Sequence, residues 1–250
     1  MTELELIIDL HLQTDRQGPG SKEDTLRALE FVGLSNDLPW AIADIGCGSG
    51  GQTITLAEQG LAHITAVDLF EPLLQELNER SRVAGLSKQI TTQQCSMESL
   101  PFGQESLDLI WSEGAIYNMG FLEGIKAWRK YLKEGGYLAV SEITWTSAIR
   151  PQEVEDYWMG EYAEISQASH KIAQLEQNGY LLEGYFCLSA NSWLDNYYTP
   201  LANGFTAFLE RHEYSERAQK VVHDTETEIA FYMKYKDYYS YGFYIARKAS

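Results

Sequence analysis

Ala41-Ile42-Ala43-Asp44-Ile45-Gly46-Cys47-Gly48-Ser49-Gly50-Gly51 is the stretch on which the fold of this chain turns. Apolar residues run to Ile45, and glycine then takes four of the next six positions. A short buried strand, Ala41 to Asp44, gives way to a tight turn, and a helix from Thr53 to Gln59 stops at Gly60. Glycine lets the backbone turn sharply and lets a ligand approach where a Cβ would stand. The helix start behind it offers unpaired amides to an anionic or polar group. Two templates fit. Gly46, Gly48 and Gly51 satisfy GxGxxG, the dinucleotide fingerprint, and Gly46, Gly48 and Gly50 satisfy GxGxG. Asp44 separates them: a carboxylate two residues before the first glycine suits a ligand that brings positive charge, and it repels pyrophosphate. A strand-to-helix turn with no ligand is the third option.

The rhythm continues downstream. His63 to Leu69 reads as a second strand with Asp68 near its end, about twenty residues past the loop, where a carboxylate can accept both hydroxyls of a ribose. Pro72 suits the first turn of a helix that ends near Gly85. Strands follow at Ile90 to Cys95 and Leu107 to Trp111, then a helix from Phe121 to Leu132 closed by Gly135-Gly136, then a strand from Tyr137 to Trp145. Such alternation predicts a parallel sheet with helices on both faces. Upstream, Leu4, Ile7, Ile8 and Leu12 have helical spacing, Asp15 to Ser21 is rich in breakers, and Ser21 can cap a helix over 22–31. After Pro151 the pattern loosens. Residues 153–178 are mostly helical and rich in Tyr and Trp, Tyr180 to Leu188 resembles a strand, 192–236 are largely helical, and Tyr238 to Arg247 is a closing β segment.

At 250 residues and 44% hydrophobic content the chain can form one large α/β domain. A net charge of -17 repels phosphate backbones and disfavours nucleic acid as a partner. Cys47, Cys95 and Cys187 are an odd set without CxxC spacing, which argues for a reducing compartment and against a disulfide framework or a zinc site. The first residues lack a basic region and a cleavage site, and no apolar run suffices for a transmembrane segment. The expectation is a cytoplasmic protein.

Several stretches carry a family resemblance. Asp44-Ile45-Gly46-Cys47-Gly48-Ser49-Gly50 resembles motif I of class I S-adenosylmethionine (SAM)-dependent methyltransferases. Cys95-Ser96-Met97-Glu98-Ser99-Leu100-Pro101-Phe102 is similar to their segment after the third strand, with Ser96 standing where many members have Asp. Leu107 to Ala115 resembles the fourth-strand motif and Leu132 to Leu138 the turn into the fifth. Trp111 to Asn118, the closing Tyr-Gly-Phe-Tyr-Ile and Arg16-Gln17-Gly18-Pro19-Gly20 look like the small-molecule branch that includes ubiquinone/menaquinone-biosynthesis-type enzymes. The resemblance implies a Rossmann-like α/β class I methyltransferase fold: a mostly parallel seven-stranded sheet with an antiparallel closing strand, helices on both faces and a helical lid insertion. It implies one domain over 1–250, with an N-terminal helical cover over 1–35, a cofactor core over 36–150, an aromatic lid with one strand over 151–236 and a closing strand over 237–250. It also implies SAM as cofactor, held by Arg16, Gly18, Asp44, Gly46, Cys47, Gly48, Gly50, Gln52, Asp68, Leu69, Ser96, Met97, Ser112 and Glu113.

Methyl transfer from a sulfonium is an in-line displacement, so the protein mainly aligns acceptor and donor, and a base is needed only where the acceptor must lose a proton. Glu113 and Tyr117 are the polar candidates for that chemistry. His11, Tyr117, Trp145, Trp158, Tyr162 and Tyr197 are candidates for binding a small-molecule acceptor under the lid, whose aromatic walls can hold an apolar molecule or embrace a cation. No carboxylate set suggests a metal, and a homodimer is compatible with the sequence. Two alternatives remain: an NAD(P)-binding oxidoreductase and a SAM-binding protein without catalysis.

Overall fold

The computed structural model describes residues 1–33, 39–60 and 63–249. The junction expected between cover and core at 35/36 lies outside the described residues. α1 (Glu3–His11) and α2 (Lys22–Val32) precede the sheet, and the Ser21 side chain accepts from the Asp24 amide as the expected cap. Then β1 (Ala41–Ile45), α3 (Gly51–Glu58), β2 (His63–Asp68), α4 (Glu71–Val83), β3 (Ile90–Gln94), β4 (Leu107–Ser112), α5 (Phe121–Arg129) and β5 (Leu132–Trp145) alternate as expected. α5 is shorter than its sequence pattern, and β5 longer. Lys130 caps the helix, and Leu132 already pairs with Leu107, so the strand starts before the glycine pair.

The sheet order is β3-β2-β1-β4-β5-β8-β7, where β7 is Tyr180–Cys187 and β8 is Tyr239–Lys248. β1 to β5 run parallel, and β8 runs antiparallel to both β5 and β7. A two-residue strand, β6 (Ser166–Gln167), is added at the carboxyl end of β5 through Thr144 and Trp145. The seven-strand path is therefore present, and β6 is an eighth strand that two residues could not signal in sequence. The reversal at β1, between β2 and β4, opens a crevice at the carboxyl ends of the strands, where ligands of such sheets bind.

Strand periodicity divides the core. Ile42, Leu109, Trp111, Ala139, Phe243 and Ile245 pack on α2, α3 and α4, whereas Ala43, Ile45, Ile110, Leu138, Val140 and Tyr244 pack on α5 and α7 (Ala168–Gln177). A third core holds the lid together over Ile143 and Trp145 at the end of β5. It is built by α1, α6 (Gln152–Glu161), α8 (Ala190–Trp193), a π turn over Leu194–Tyr198, α9 (Thr199–Asn203), α10 (Phe205–Arg211) and α11 (Glu216–Tyr235). None of the described helices is long and apolar enough to cross a membrane.

An ion pair is fully enclosed between the sheet and α7. Lys171 on α7 donates to Glu142 on β5 at 2.9 Å, with side chains 1% and 0% exposed. Burial pushes the Glu142 carboxyl up and Lys171 opposes it. Removing one partner of such a pair strands the other charge, at a cost of about 3–5 kcal/mol, whereas replacing both is far cheaper. Lys171→Met should therefore lose about that much in urea unfolding at pH 8, and less at pH 5, where Glu142 can take a proton. Lys171→Met/Glu142→Leu should recover most of it. A double variant no more stable than the single one would remove the pair from the account.

Candidate active site

The loop between β1 and α3 is fixed by its neighbours. The amides of Gly46 and Cys47 both donate to the Val67 carbonyl, at 2.8 and 3.0 Å. The Gly48 amide donates to Asp68 Oδ2 at 2.9 Å, and the Phe70 amide to Asp68 Oδ1 at 3.0 Å. Gly46, Gly48 and Gly50 have φ of 72°, 56° and 88°, a region that side chains disfavour. A Cβ on Gly46 would stand 2.4 Å from Ala115 Cβ, one on Gly48 2.2 Å from Gln17 Oε1, and one on Gly50 2.1 Å from Leu77 Cδ1. The glycines are thus required by the protein's own packing.

The N-terminal segment is laced over this loop. Gln17 Oε1 accepts from the Ser49 amide at 2.7 Å, and Gln17 Nε2 donates to Ser49 Oγ at 2.9 Å. Arg16 Nη1 meets Glu113 Oε2 at 2.7 Å, with both side chains at most a tenth exposed. Thr25 Oγ1 and Trp111 Nε1 donate to the other Glu113 oxygen at 2.7 and 2.8 Å. Glu113 is consequently a tether between β4 and the N-terminal cover, with hydrogen-bond partners on both oxygens.

A cavity of about 410 Å³ opens beside the loop at the carboxyl ends of the strands. Of the expected cofactor residues it brings together Arg16, Gly18, Gly46, Cys47, Gly48, Gln52, Asp68, Leu69, Ser96, Met97 and Glu113, together with the acceptor candidate Tyr117. Asp44, Gly50 and Ser112 do not reach it. Gly50 turns toward Leu77, and Ser112 Oγ donates to the Ile45 carbonyl at 2.8 Å. Asp44 is fully buried and accepts from Thr53 Oγ1 at 2.5 Å and Gln52 Nε2 at 3.3 Å. Burial raises its carboxyl to about 7; Thr53 opposes this and the Glu113 charge adds to it. Burial also pushes the Cys47 thiol well up, as befits a small packing residue.

The other acceptor candidates sit in the lid core, off the cavity. His11 Nε2 and the Tyr197 hydroxyl are 3.3 Å apart, the Tyr162 hydroxyl accepts from the Phe121 amide at 3.1 Å, and Trp145 and Trp158 pack among lid aromatics. Burial lowers His11, so it stays neutral near pH 7. Gln17 and Asn118 were legible only as members of family-like stretches, and Thr25 and Met119 not at all. Thr25 shares a helical stripe with Ala28 and Val32, the one signal that its hydroxyl points inward. The Met97 carbonyl is held by Trp128 Nε1 at 3.0 Å, which steadies the segment after β3.

Residues 43–140 match the family described as "Methyltransferase domain". Dimethylglycine N-methyltransferase of Parasynechococcus marenigrum is 31% identical over 133 residues, 52% of this chain and 46% of that protein. The matched stretch spans about half the length of such curated relatives. A SAM-dependent methyltransferase from Thiobacillus denitrificans, solved with S-adenosyl-L-homocysteine, superposes with a TM-score of 0.84 at 18% identity, covering 99% of each chain. The [4+2]-cyclase SpnF superposes at 0.73 with 22% identity, covering 91% of this chain and 81% of its own. The fold is the Rossmann-like methyltransferase fold.

The raised Asp44 carboxyl has a consequence for stability. Between about pH 4 and pH 7 the folded state holds a proton there that the unfolded chain has lost, so stability falls as pH rises, by up to about 1.4 kcal/mol per pH unit. Asp44→Asn, which cannot titrate, should remove that slope. Thermal unfolding from pH 4 to 8 should show the variant gaining on the parent as pH rises. Parallel curves would mean that Asp44 is ionised throughout.

Proposed function

We propose that this chain is a SAM-dependent methyltransferase that acts on a small molecule. The observation that carries this is Asp68, mostly buried at the carboxyl end of β2 and lining the cavity beside the glycine loop. The Gly48 and Phe70 amides donate to its two oxygens and the Leu69 amide also favours its charged form, and the remaining acceptor capacity is free for ribose hydroxyls. The residues around it fit the rest of the nucleoside. Leu69, Ser96 and Met97 form a partly apolar slot for adenine, and Gly46, Gly48 and Gln52 border the side where the amino acid would lie. A volume of about 410 Å³ is in the range of small-molecule sites. The match over residues 43–140 supports the same class over an NAD(P) enzyme.

SAM supplies an already activated methyl group when bound. The residues of this chain have the remaining tasks. Asp68 fixes the nucleoside, Arg16 and Gln17 hold the cover down and keep water from the loop, and Tyr117 and Asn118 line the side of the cavity open to an acceptor. Such positioning is the main protein contribution to a displacement of this kind. Within this class, the likeness of Trp111 to Asn118 to quinone-biosynthesis-type enzymes supports a flat, apolar acceptor as one option, with Tyr117 and Met119 on the cavity wall beside it. A [4+2]-cyclase shares this fold, and a SAM-binding protein without catalysis is the alternative to exclude.

Calorimetry should find SAM and its demethylated product binding at micromolar levels. Asp68→Ala, which removes charged hydrogen-bond acceptors, should weaken both about ten- to a hundredfold with the circular dichroism spectrum retained. Unchanged affinity would sink the ribose assignment. Labelled methyl from SAM should appear in a component of a metabolite extract, and tight binding with no transfer to any component would favour the non-catalytic alternative.

A further inference from the structure

Gln52 stands between Asp44 and the cavity. It is the second residue of α3, only 6% exposed, and it lines the cavity that Asp44 does not reach. Its Nε2 donates to Asp44 Oδ1 and to the Cys47 carbonyl, each at 3.3 Å. A primary amide carries two N–H groups, so these two bonds use both. The Cys47 carbonyl can only accept, and this decides which way the amide lies: nitrogen inward, oxygen outward. Among the described residues no donor reaches Gln52 Oε1, and that atom is not sealed in the core. It is an acceptor presented to the cavity.

The other acceptors around the loop are committed. The Cys47 carbonyl also takes the Gly50 amide at 3.0 Å, and the Val67 carbonyl takes two amides. Arg16, Thr25 and Trp111 hold both oxygens of Glu113. Asp68 is held by the Gly48 and Phe70 amides on the ribose side. A ligand group that meets Gln52 Oε1 must therefore be a donor. A positively charged donor gains most, because the Asp44 carboxyl stands directly behind the amide and hydrogen bonds in series polarise one another. On the proposed cofactor reading, the loop side of the cavity holds the methionine part, which carries one ammonium and one carboxylate. Of these only the ammonium can donate.

We propose that Gln52 Oε1 receives the ammonium group of the cofactor's methionine part, and that Asp44 is the positioning residue that holds the amide in this orientation. Thr53 Oγ1 donates to Asp44 Oδ2 from the other side, so Oδ1 is kept for Gln52. The carboxyl thus acts on the ligand at second hand. This accounts for an acid two residues before Gly46 whose side chain is wholly buried behind the cavity wall.

The test titrates the full chain with S-adenosylhomocysteine and with its desamino analogue, in which hydrogen replaces the amino group. The unaltered chain should prefer S-adenosylhomocysteine by about tenfold or more. Gln52→Met, of similar length but without the oxygen, should cut that preference to less than about threefold by weakening S-adenosylhomocysteine rather than by tightening the analogue. Binding of the analogue then reports a folded site. Asp44→Ala should lose the preference too, and Asp44→Asn, whose oxygen can still accept from Gln52 Nε2, should restore most of it. No preference in the unaltered chain, or a preference kept in Gln52→Met, would overturn the ammonium assignment; a preference kept in Asp44→Ala would overturn the positioning role. Where a variant loses both ligands, isotope-edited NMR of the unaltered chain decides: the Gln52 side-chain amide signals should shift with S-adenosylhomocysteine and stay in place with the analogue, and equal shifts would overturn the proposal. Failure of the unaltered chain to bind either ligand would overturn the cofactor reading itself.

Discussion

The carbonyl of Val67 accepts two amides from the loop after β1, and the carboxylate of Asp68 accepts a third. This junction between the ends of two neighbouring strands is what the site depends on. It forces the chain through three positive-φ glycines, aims α3 at the crevice, and leaves Asp68 facing the cavity. A carboxylate held by backbone amides cannot swing away, so its remaining acceptor sites are already directed before any ligand arrives. The glycines serve this packing directly. Gly46 admits Ala115, Gly48 admits Gln17 and Gly50 admits Leu77, and each contact ties the loop to a different part of the molecule.

The second constraint is electrostatic. Glu113 and Asp44 carry like charge at the ends of adjacent strands, in surroundings that hydrate neither well. The structure resolves this unequally. Glu113 receives Arg16, Thr25 and Trp111, and its charge is matched by the N-terminal cover. Asp44 receives only uncharged donors, Thr53 and Gln52, and its carboxyl rises toward neutrality. The cover thus does more than shield the cavity: without Arg16, two carboxylates would compete for the same poorly solvated region.

The succession of strands and helices was legible from the sequence because each strand-turn-helix unit carries its own local signal: apolar runs, glycine turns, Pro72 in the first turn of α4 and Ser21 as a cap. The cavity was largely legible too, since Asp68, Ser96, Met97 and Glu113 sit at the carboxyl ends of strands, and topology alone brings such residues together. Three expected cofactor residues stand off the cavity for a common reason. The Asp44 and Ser112 side chains and the Cα of Gly50 face the protein's own packing, and adjacency along a turn does not determine direction. The partners of Glu113 left no local signal, because Arg16 and Thr25 arrive from 97 and 88 residues away. β6 is two residues long, too short to leave a periodic signal.

The lid shows the opposite balance. Its aromatic richness was plain in sequence, but composition could not separate rings that pack from rings that meet a ligand. The structure makes most of them core: Trp193 stacks on Tyr232, and Tyr198 and Tyr239 pack against them tilted or edge-on over the end of β5. A cluster of that kind is stable without any ligand, so its rings alone carry no specificity.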